Sequence, residues 1–162
     1  MLRLAPEDAE RYVRLRRRML VDTPAAFAAS PEDDVVLDAG FVARALGPEN
    51  AIFAVEGDGE LVAAAGVKRQ TKAKFRHRGD VWGVYVEPAH RGKGYARAIL
   101  VAAIDLARSW PGVEWLDIGV SAATPGAQAL YESLGFVAWG RSPEATLVGD
   151  QRHDEIFLSL RL

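Results

Sequence analysis

The 162-residue sequence contains no cysteine, only three histidines, and no apolar run long enough to cross a bilayer. Without cysteine there is no disulfide, no thiolate metal ligand and no cysteine nucleophile. His77, His90 and His153 show no metal-ligand spacing and no His-x-x-x-His pair occurs, so no metal is expected. A dominant charge is also missing: 20 Lys and Arg oppose 22 Asp and Glu, for a formal net charge of -2. That balance gives no global attraction to nucleic acid or to an anionic membrane, and neither is expected as a partner. Glu7 and Asp8 stand where a secretory leader would carry its apolar core, so a soluble, cytoplasmic chain is expected.

What is present fits one ordinary domain spanning residues 1–162. Hydrophobic residues make up 49% and charged residues 26%, close to globular averages, which argues against disorder. A chain of this length buries about two thirds of its unfolded surface. Leu2 to Leu4 reads as an edge strand, and Pro6-Glu7-Asp8 as the first turn of a helix carrying Tyr12, Leu15 and Met19 at helical spacing. Arg11, Arg14, Arg16, Arg17 and Arg18 on its other faces read as a solvated surface. Pro24 and Pro31 each suit a helix start, with Ser30 as N-cap of the second. Ala51 to Glu56 and Leu61 to Val67 are strand-like, joined by the hairpin signal Gly57-Asp58-Gly59. Lys68 to Arg78 is basic and free of acids, and reads as a loop that either attracts anionic groups or is only solvated. Trp110-Pro111-Gly112 ends a helix, Trp115 to Val120 is a strand, and a helix runs from Pro125 to Leu134 with Gly135 as its stop. Phe136 to Trp139 and Asp154 to Leu160 complete the sheet, with a loop expected from Ser142 to Arg152.

The most informative stretch runs from Asp80 to Arg108, where the pattern changes period. Val81 to Val86 is β-branched and aromatic, as a buried strand should be. After Pro88 comes a glycine-punctuated turn, His90 to Ala96, and then Ile99, Leu100, Ala103, Ile104 and Ala107 recur at helical spacing. A strand, a glycine loop and a helix start together make an anion-binding device, because the first helical N–H groups lack partners and glycine lets an anion approach the main chain. Neither a Walker loop nor a dinucleotide fingerprint fits, since Arg97 occupies the position of the latter's third glycine.

Arg91-Gly-Lys-Gly94-Tyr-Ala96, following Val84-Tyr-Val86-Glu-Pro88, resembles the acetyl-CoA pyrophosphate loop of the GNAT superfamily of N-acetyltransferases. A second stretch, Leu116 to Val120 followed by Ala127-Gln-Ala-Leu130-Tyr131 and Gly135-Phe136, resembles that superfamily's second motif. The resemblance implies an α/β fold with a mixed, partly splayed sheet flanked by helices and the acetyl-CoA loop between the fourth strand and third helix. It implies transfer of an acetyl group from acetyl-CoA to an amine by direct attack; the alternative is a catalytically silent CoA-binding sensor or interaction module. The amides of Gly92, Lys93, Gly94, Tyr95 and Ala96 would hold the pyrophosphate, with Arg91 at the loop mouth. Val84, Tyr85 and Val86 would pair with the pantetheine arm. Tyr131 falls where the family places a general acid near the sulfur, and otherwise reads as a core aromatic. Thr124 replaces the usual asparagine, so it still suits a helix cap while its contact with CoA is open.

An alkyl ammonium has a reference pKa of roughly 10.4, so a proton must leave before attack. Asp80 and Glu87 are the candidate bases, and strand parity puts them on opposite faces unless a bulge intervenes. Asp154 and Glu155 resemble an acid pair that borders the acceptor in relatives. Phe27 is either an acceptor contact or a core aromatic. The acceptor itself is not readable, and a homodimer through an exposed strand is a further implication of the family.

Overall fold

In the computed structural model, which describes residues 1–162, seven strands form one sheet in the order β1-β2-β3-β4-β5-β7-β6. The elements in chain order are β1 (Leu2–Arg3), α1 (Ala9–Asp22), α2 (Ala39–Ala45), β2 (Asn50–Gly57), β3 (Glu60–Arg69), β4 (Arg78–Val86), α3 (Tyr95–Arg108), β5 (Trp115–Ser121), α4 (Pro125–Ser133), β6 (Val137–Val148) and β7 (Gln151–Arg161). All pairings are antiparallel except β4 with β5. A parallel pair needs a crossover, which α3 supplies. No helix is long and apolar enough to cross a membrane.

Helices cover both faces of the central strands, and β3 shows the result in its sequence. Val62, Ala63, Ala65 and Val67 join a core under α3, while Leu61 and Ala64 join a second core under α1 and α2. A strand buried on both sides reads as a continuous apolar run instead of an alternation. The β2–β3 turn places Asp58 at φ 53 and Gly59 at φ 82, the left-handed pair that a tight hairpin requires. The inward face of α3 is Ile99, Leu100, Ala103, Ile104 and Ala107, all buried.

Outside the site, three departures from the sequence reading concern the fold. Pro31 opens only a hydrogen-bonded turn, with the amides of Asp33 and Asp34 donating to the Ser30 carbonyl. The second helix instead begins at Ala39, where the Asp38 carboxylate accepts from the Phe41 amide at 2.9 Å, so Ser30 is not its cap. The Ser142–Arg152 segment is not a loop: β6 and β7 continue as a two-stranded ribbon to a turn at Gly149 and Asp150. Its register shifts between Ser142 and Thr146, which absorbs Pro143 and the left-handed Glu144 (φ 50) in a bulge on the outer strand.

The third departure is Arg16. It sits four residues after Tyr12, on the inward face of α1, with its Nε donating to Asp34 Oδ2 at 2.7 Å. The two side chains are 7% and 4% exposed, so this arginine is a core residue and the solvated-face reading fails for it. Its neighbours behave as surface pairs: Arg14 meets Glu60 at 3.3 Å and Arg18 meets Glu87 at 2.5 Å.

Trp82 lies flat over Gly66, its partner in the β3–β4 register. A Cβ at Gly66 would stand 2.1 Å from Trp82 Cε2, with strand backbone fixing both residues. Gly66→Ala is therefore expected to displace the indole and destabilise the protein by about 1–3 kcal/mol, the range for overpacking a core. A urea-denaturation midpoint unchanged from wild type would show that the indole has room to move.

Candidate functional site

The parallel pairing of β4 with β5 covers only Arg78–Asp80 against Trp115–Asp117. Beyond it the strands part. β4 carries one extra residue there, since its register against β3 jumps from Gly66↔Trp82 to Ala64↔Tyr85. Gly83 takes φ 62 inside this bulge, a conformation open to glycine and costly for other residues. The divergence leaves a cavity of about 570 Å³ between Val81–Val86 and Ile118–Val120.

One end of the cavity is the glycine loop, where Gly92 has φ 77 and Gly94 φ 79. A Cβ built at either glycine meets nothing within 4 Å. These glycines are thus needed for the left-handed backbone and an open approach, not for internal packing. The helical bond of Ala98 N–H to Gly94 O, at 3.1 Å, leaves the amides ahead of it outside the α3 ladder. Unpaired amides at the start of a long helix favour an anion. The loop and cavity thus fit the phosphate and extended arm of a nucleotide-type ligand.

Arg91 sits at the mouth of this loop and donates to Val86 O at 3.0 Å and to Asp22 Oδ2 at 2.8 Å. The same Asp22 oxygen accepts from the Tyr85 hydroxyl at 3.1 Å and from Thr23 Oγ1 at 2.9 Å. Burial pushes the Asp22 carboxyl up, and these donors outweigh it, holding it below its ordinary value. Asp22 thereby ties the end of α1 to β4 and to the glycine loop. Nothing at sequence level marked it. Lys93 does not line the cavity; its ammonium lies 3.5 Å from His90 Nδ1. Tyr95 and Ala96 line the wall, as does Arg97, which sequence reasoning used only to exclude another motif.

Tyr131 enters from α4 and is 4% exposed. Burial alone pushes its phenol well above the ordinary value, and no hydrogen bond within the chain contributes. The hydroxyl is therefore a protonated, uncommitted donor. Thr124 also lines the cavity, but Oγ1 donates to Ser121 O at 2.8 Å and makes no cap for α4, contrary to the sequence expectation. Phe27 and Thr23 also line the cavity, from the segment that follows α1.

The two candidate bases part company. The Gly83 bulge resets the strand's alternation, so Asp80, Trp82, Tyr85 and Glu87 share one parity. Glu87 is held by Arg18 and lines neither the main cavity nor the one beside it. Asp80 lines a second cavity of about 220 Å³ that shares Val81, Ile118 and Gly119 with the first. Burial pushes the Asp80 carboxyl up, against the hydrogen bond from Gln70 Nε2 at 2.5 Å. Glu155 lines the same cavity, lying so close over Gly119 that a Cβ there would clash with Oε1. A lone glycine inside a strand pattern was the available signal. Asp154, by contrast, is occupied by the Glu144 amide at 2.8 Å and by Arg141.

Comparison with known proteins agrees with this geometry. The profile described as "Acetyltransferase (GNAT) family" matches residues 12–136. The chain is 30% identical over 134 residues to the N-alpha-acetyltransferase RimI of Mycobacterium tuberculosis, covering 82% of this chain and 75% of that protein. It is 32% identical over 125 residues to a mycothiol acetyltransferase of Paenarthrobacter aurescens, covering 74% of this chain but only 38% of that longer protein. In fold it is similar to yncA of Salmonella typhimurium, a structure with its cofactor acetyl-CoA, at TM-score 0.84 and 22% identity, covering 99% and 92% of the two chains.

The raised Asp80 carboxyl has a stability consequence. An acid whose folded pKa lies above its unfolded value weakens the fold while ionised, and the penalty disappears as pH falls through the folded pKa. Asp80→Asn, whose amide oxygen still accepts from Gln70, is expected to raise the denaturation midpoint at pH 7, with the gain vanishing below about pH 4. An equal gain at both pH values would assign the effect to packing.

Proposed function

The chain belongs to the acetyltransferase (GNAT) family, whose acyl donor is acetyl-CoA, and from that premise we propose that it transfers the acetyl group to an amine by direct attack. The observation that carries the reading is the gap between β4 and β5, with anion-ready amides at one end and an uncommitted phenol in its wall. Residues 1–162 act as one catalytic domain. The amides of Gly92, Lys93, Gly94, Tyr95 and Ala96 hold the pyrophosphate, and Arg91 adds charge beside them. The unpaired side of Val84, Tyr85 and Val86 receives the pantetheine arm as an added strand would be received. Acetyl-CoA supplies the activated carbonyl and a thiolate leaving group.

The protein's own groups then divide the proton work. Asp80 is favoured as base over Glu87, because it lines the smaller cavity that adjoins the main one and burial raises its carboxyl above the ordinary value, whereas Glu87 is spent on Arg18. It takes a proton from the acceptor ammonium, directly or through water. Tyr131 gives its proton to the departing sulfur. Thr124 shapes the wall through the Ser121 turn without capping α4.

Acetyl-CoA is expected to raise the thermal midpoint of the wild type by mass action and to leave that of Gly94→Trp unmoved, since the indole would fill the open space before the loop. Tyr131→Phe should keep the acetyl-CoA shift and lower thiol release with a reactive amine on the order of 10²-fold. Undiminished turnover in Tyr131→Phe would remove the acid assignment, and a midpoint shift without turnover of any amine would favour a silent CoA-binding module.

A further inference from the structure

Asp22 is an acid in a place where charge alone disfavours one. It is the last residue of α1, at the negative end of the helix dipole, and it lies 2.8 Å from the arginine at the mouth of the glycine loop. A carboxylate there subtracts from the positive potential that the loop offers an anion. Its contacts show a different use. One oxygen, Oδ2, accepts from three donors: Tyr85 Oη, Thr23 Oγ1 and Arg91 Nη2. Tyr85 is 6% exposed and belongs to the core under α1 and α2, so that oxygen is anchored from a well-packed part of β4.

The same contact sets the plane of Arg91, whose Nε donates to Val86 O at 3.0 Å while Nη2 donates to Asp22. The amide of Glu87 donates to Val62 O on β3, so the carbonyl of Val86, one residue earlier, points to the other edge of β4 and into the gap. Arg91 therefore spans from the unpaired edge of the strand to the end of α1, with one edge of its guanidinium fixed at both nitrogens. Its remaining N–H donors, on Nη1 and the outer side of Nη2, form the planar fork that matches a phosphate. They are reachable, because the side chain lines the main cavity and is 53% exposed. An unrestrained arginine on an exposed loop loses rotamer freedom when it grips an anion, whereas this one has lost it beforehand.

We propose that Asp22 is a positioning residue for the acyl donor: it presets Arg91 so that the free fork meets the pyrophosphate of acetyl-CoA. This inference rests on the acetyl-transfer reading above and adds to it a residue outside the glycine loop. Position and charge predict effects of opposite sign. If geometry governs, loss of the Oδ2 acceptor weakens binding, and asparagine, whose single carbonyl oxygen accepts from the same three donors, restores it. If charge governs, Asp22 is a brake on anion binding, and asparagine and alanine release it alike.

The test is titration calorimetry with acetyl-CoA, which needs no acceptor. Asp22→Ala is expected to raise the dissociation constant about 10-fold, the scale of one charge-assisted hydrogen bond, while Asp22→Asn stays within about threefold of wild type. Arg91→Ala should weaken binding at least as much, and adding Asp22→Ala to it should cost nothing further, because Asp22 acts through Arg91. If Asp22→Ala does not fold, Tyr85→Phe carries the test: it keeps the ring in the core, removes the anchor of Oδ2, and should weaken binding in the wild type but not in Arg91→Ala. Tighter binding in both Asp22 variants would make the carboxylate a brake. An equal further loss in the Arg91→Ala background would make it a general prop of the fold. Unchanged binding in Asp22→Ala or in Arg91→Ala would leave it without a role toward the donor. Each of these overturns the proposal and leaves acetyl transfer standing. If the wild type itself binds no acetyl-CoA, the reading beneath it falls first.

Discussion

Three residue pairs hold β4 to β5, and the site exists because there are only three. Parallel strands normally continue their ladder for as long as both remain extended. Here β4, with its extra residue at Gly83, keeps its pairing with β3 and leaves β5, while β5 stays in register with β7 along its whole length. The strands part after Asp80 and Asp117, and the polar chemistry gathers at that point: Asp117 is gripped by both forks of Arg78 at 2.6 Å and by Ser159, while Asp80 has only Gln70. The paired carboxylate anchors the closed end of the wedge. The less satisfied one borders its opening.

The walls of the wedge are held by ion pairs between elements far apart in sequence. Asp22 joins α1 to β4 and the glycine loop, Arg18 joins α1 to β4 through Glu87, and Arg16 joins α1 to the Asp34 turn. Exposed pairs of this type add little stability, and a buried pair such as Arg16 with Asp34 often costs more in desolvation than it returns. Their common effect is geometric. The first two fix the end of α1 against the strand that lines the cavity, and the third fixes to α1 the far end of the Thr23–Asp34 segment, which has no regular structure beyond short turns.

The parts of the structure legible in the sequence were those governed by local periodicity. The strand, glycine loop and helix from Val81 to Arg108 could be read because apolar spacing changes from two to 3.6 around two glycines. The order of elements and the parallel crossover followed from the same patterns. What local pattern cannot carry is partnership across the fold. Arg16 looked like one of five surface arginines because nothing nearby shows that Asp34 and Phe27 fold back over it. Asp22 likewise joins three elements that meet only in three dimensions. The β6–β7 ribbon was missed because Pro143 and Gly149 are loop residues by habit, whereas an outer strand tolerates a residue that cannot donate. The bulge at Gly83 decided the parity of Asp80 and Glu87, and a single glycine in a strand does not reveal which way the register moves.

The splay also inverts the usual ranking of protection across a sheet. Central strands are ordinarily the last to open, because both edges are bonded and both faces buried. In this sheet β4 is fourth of seven, yet beyond Asp80 its edge toward β5 carries no ladder. The middle of the protein therefore presents a border there. Under the proposed function, slow amide exchange at Val84–Val86 would be a property of the loaded protein, with the bound arm standing in for the missing strand at the centre of the fold.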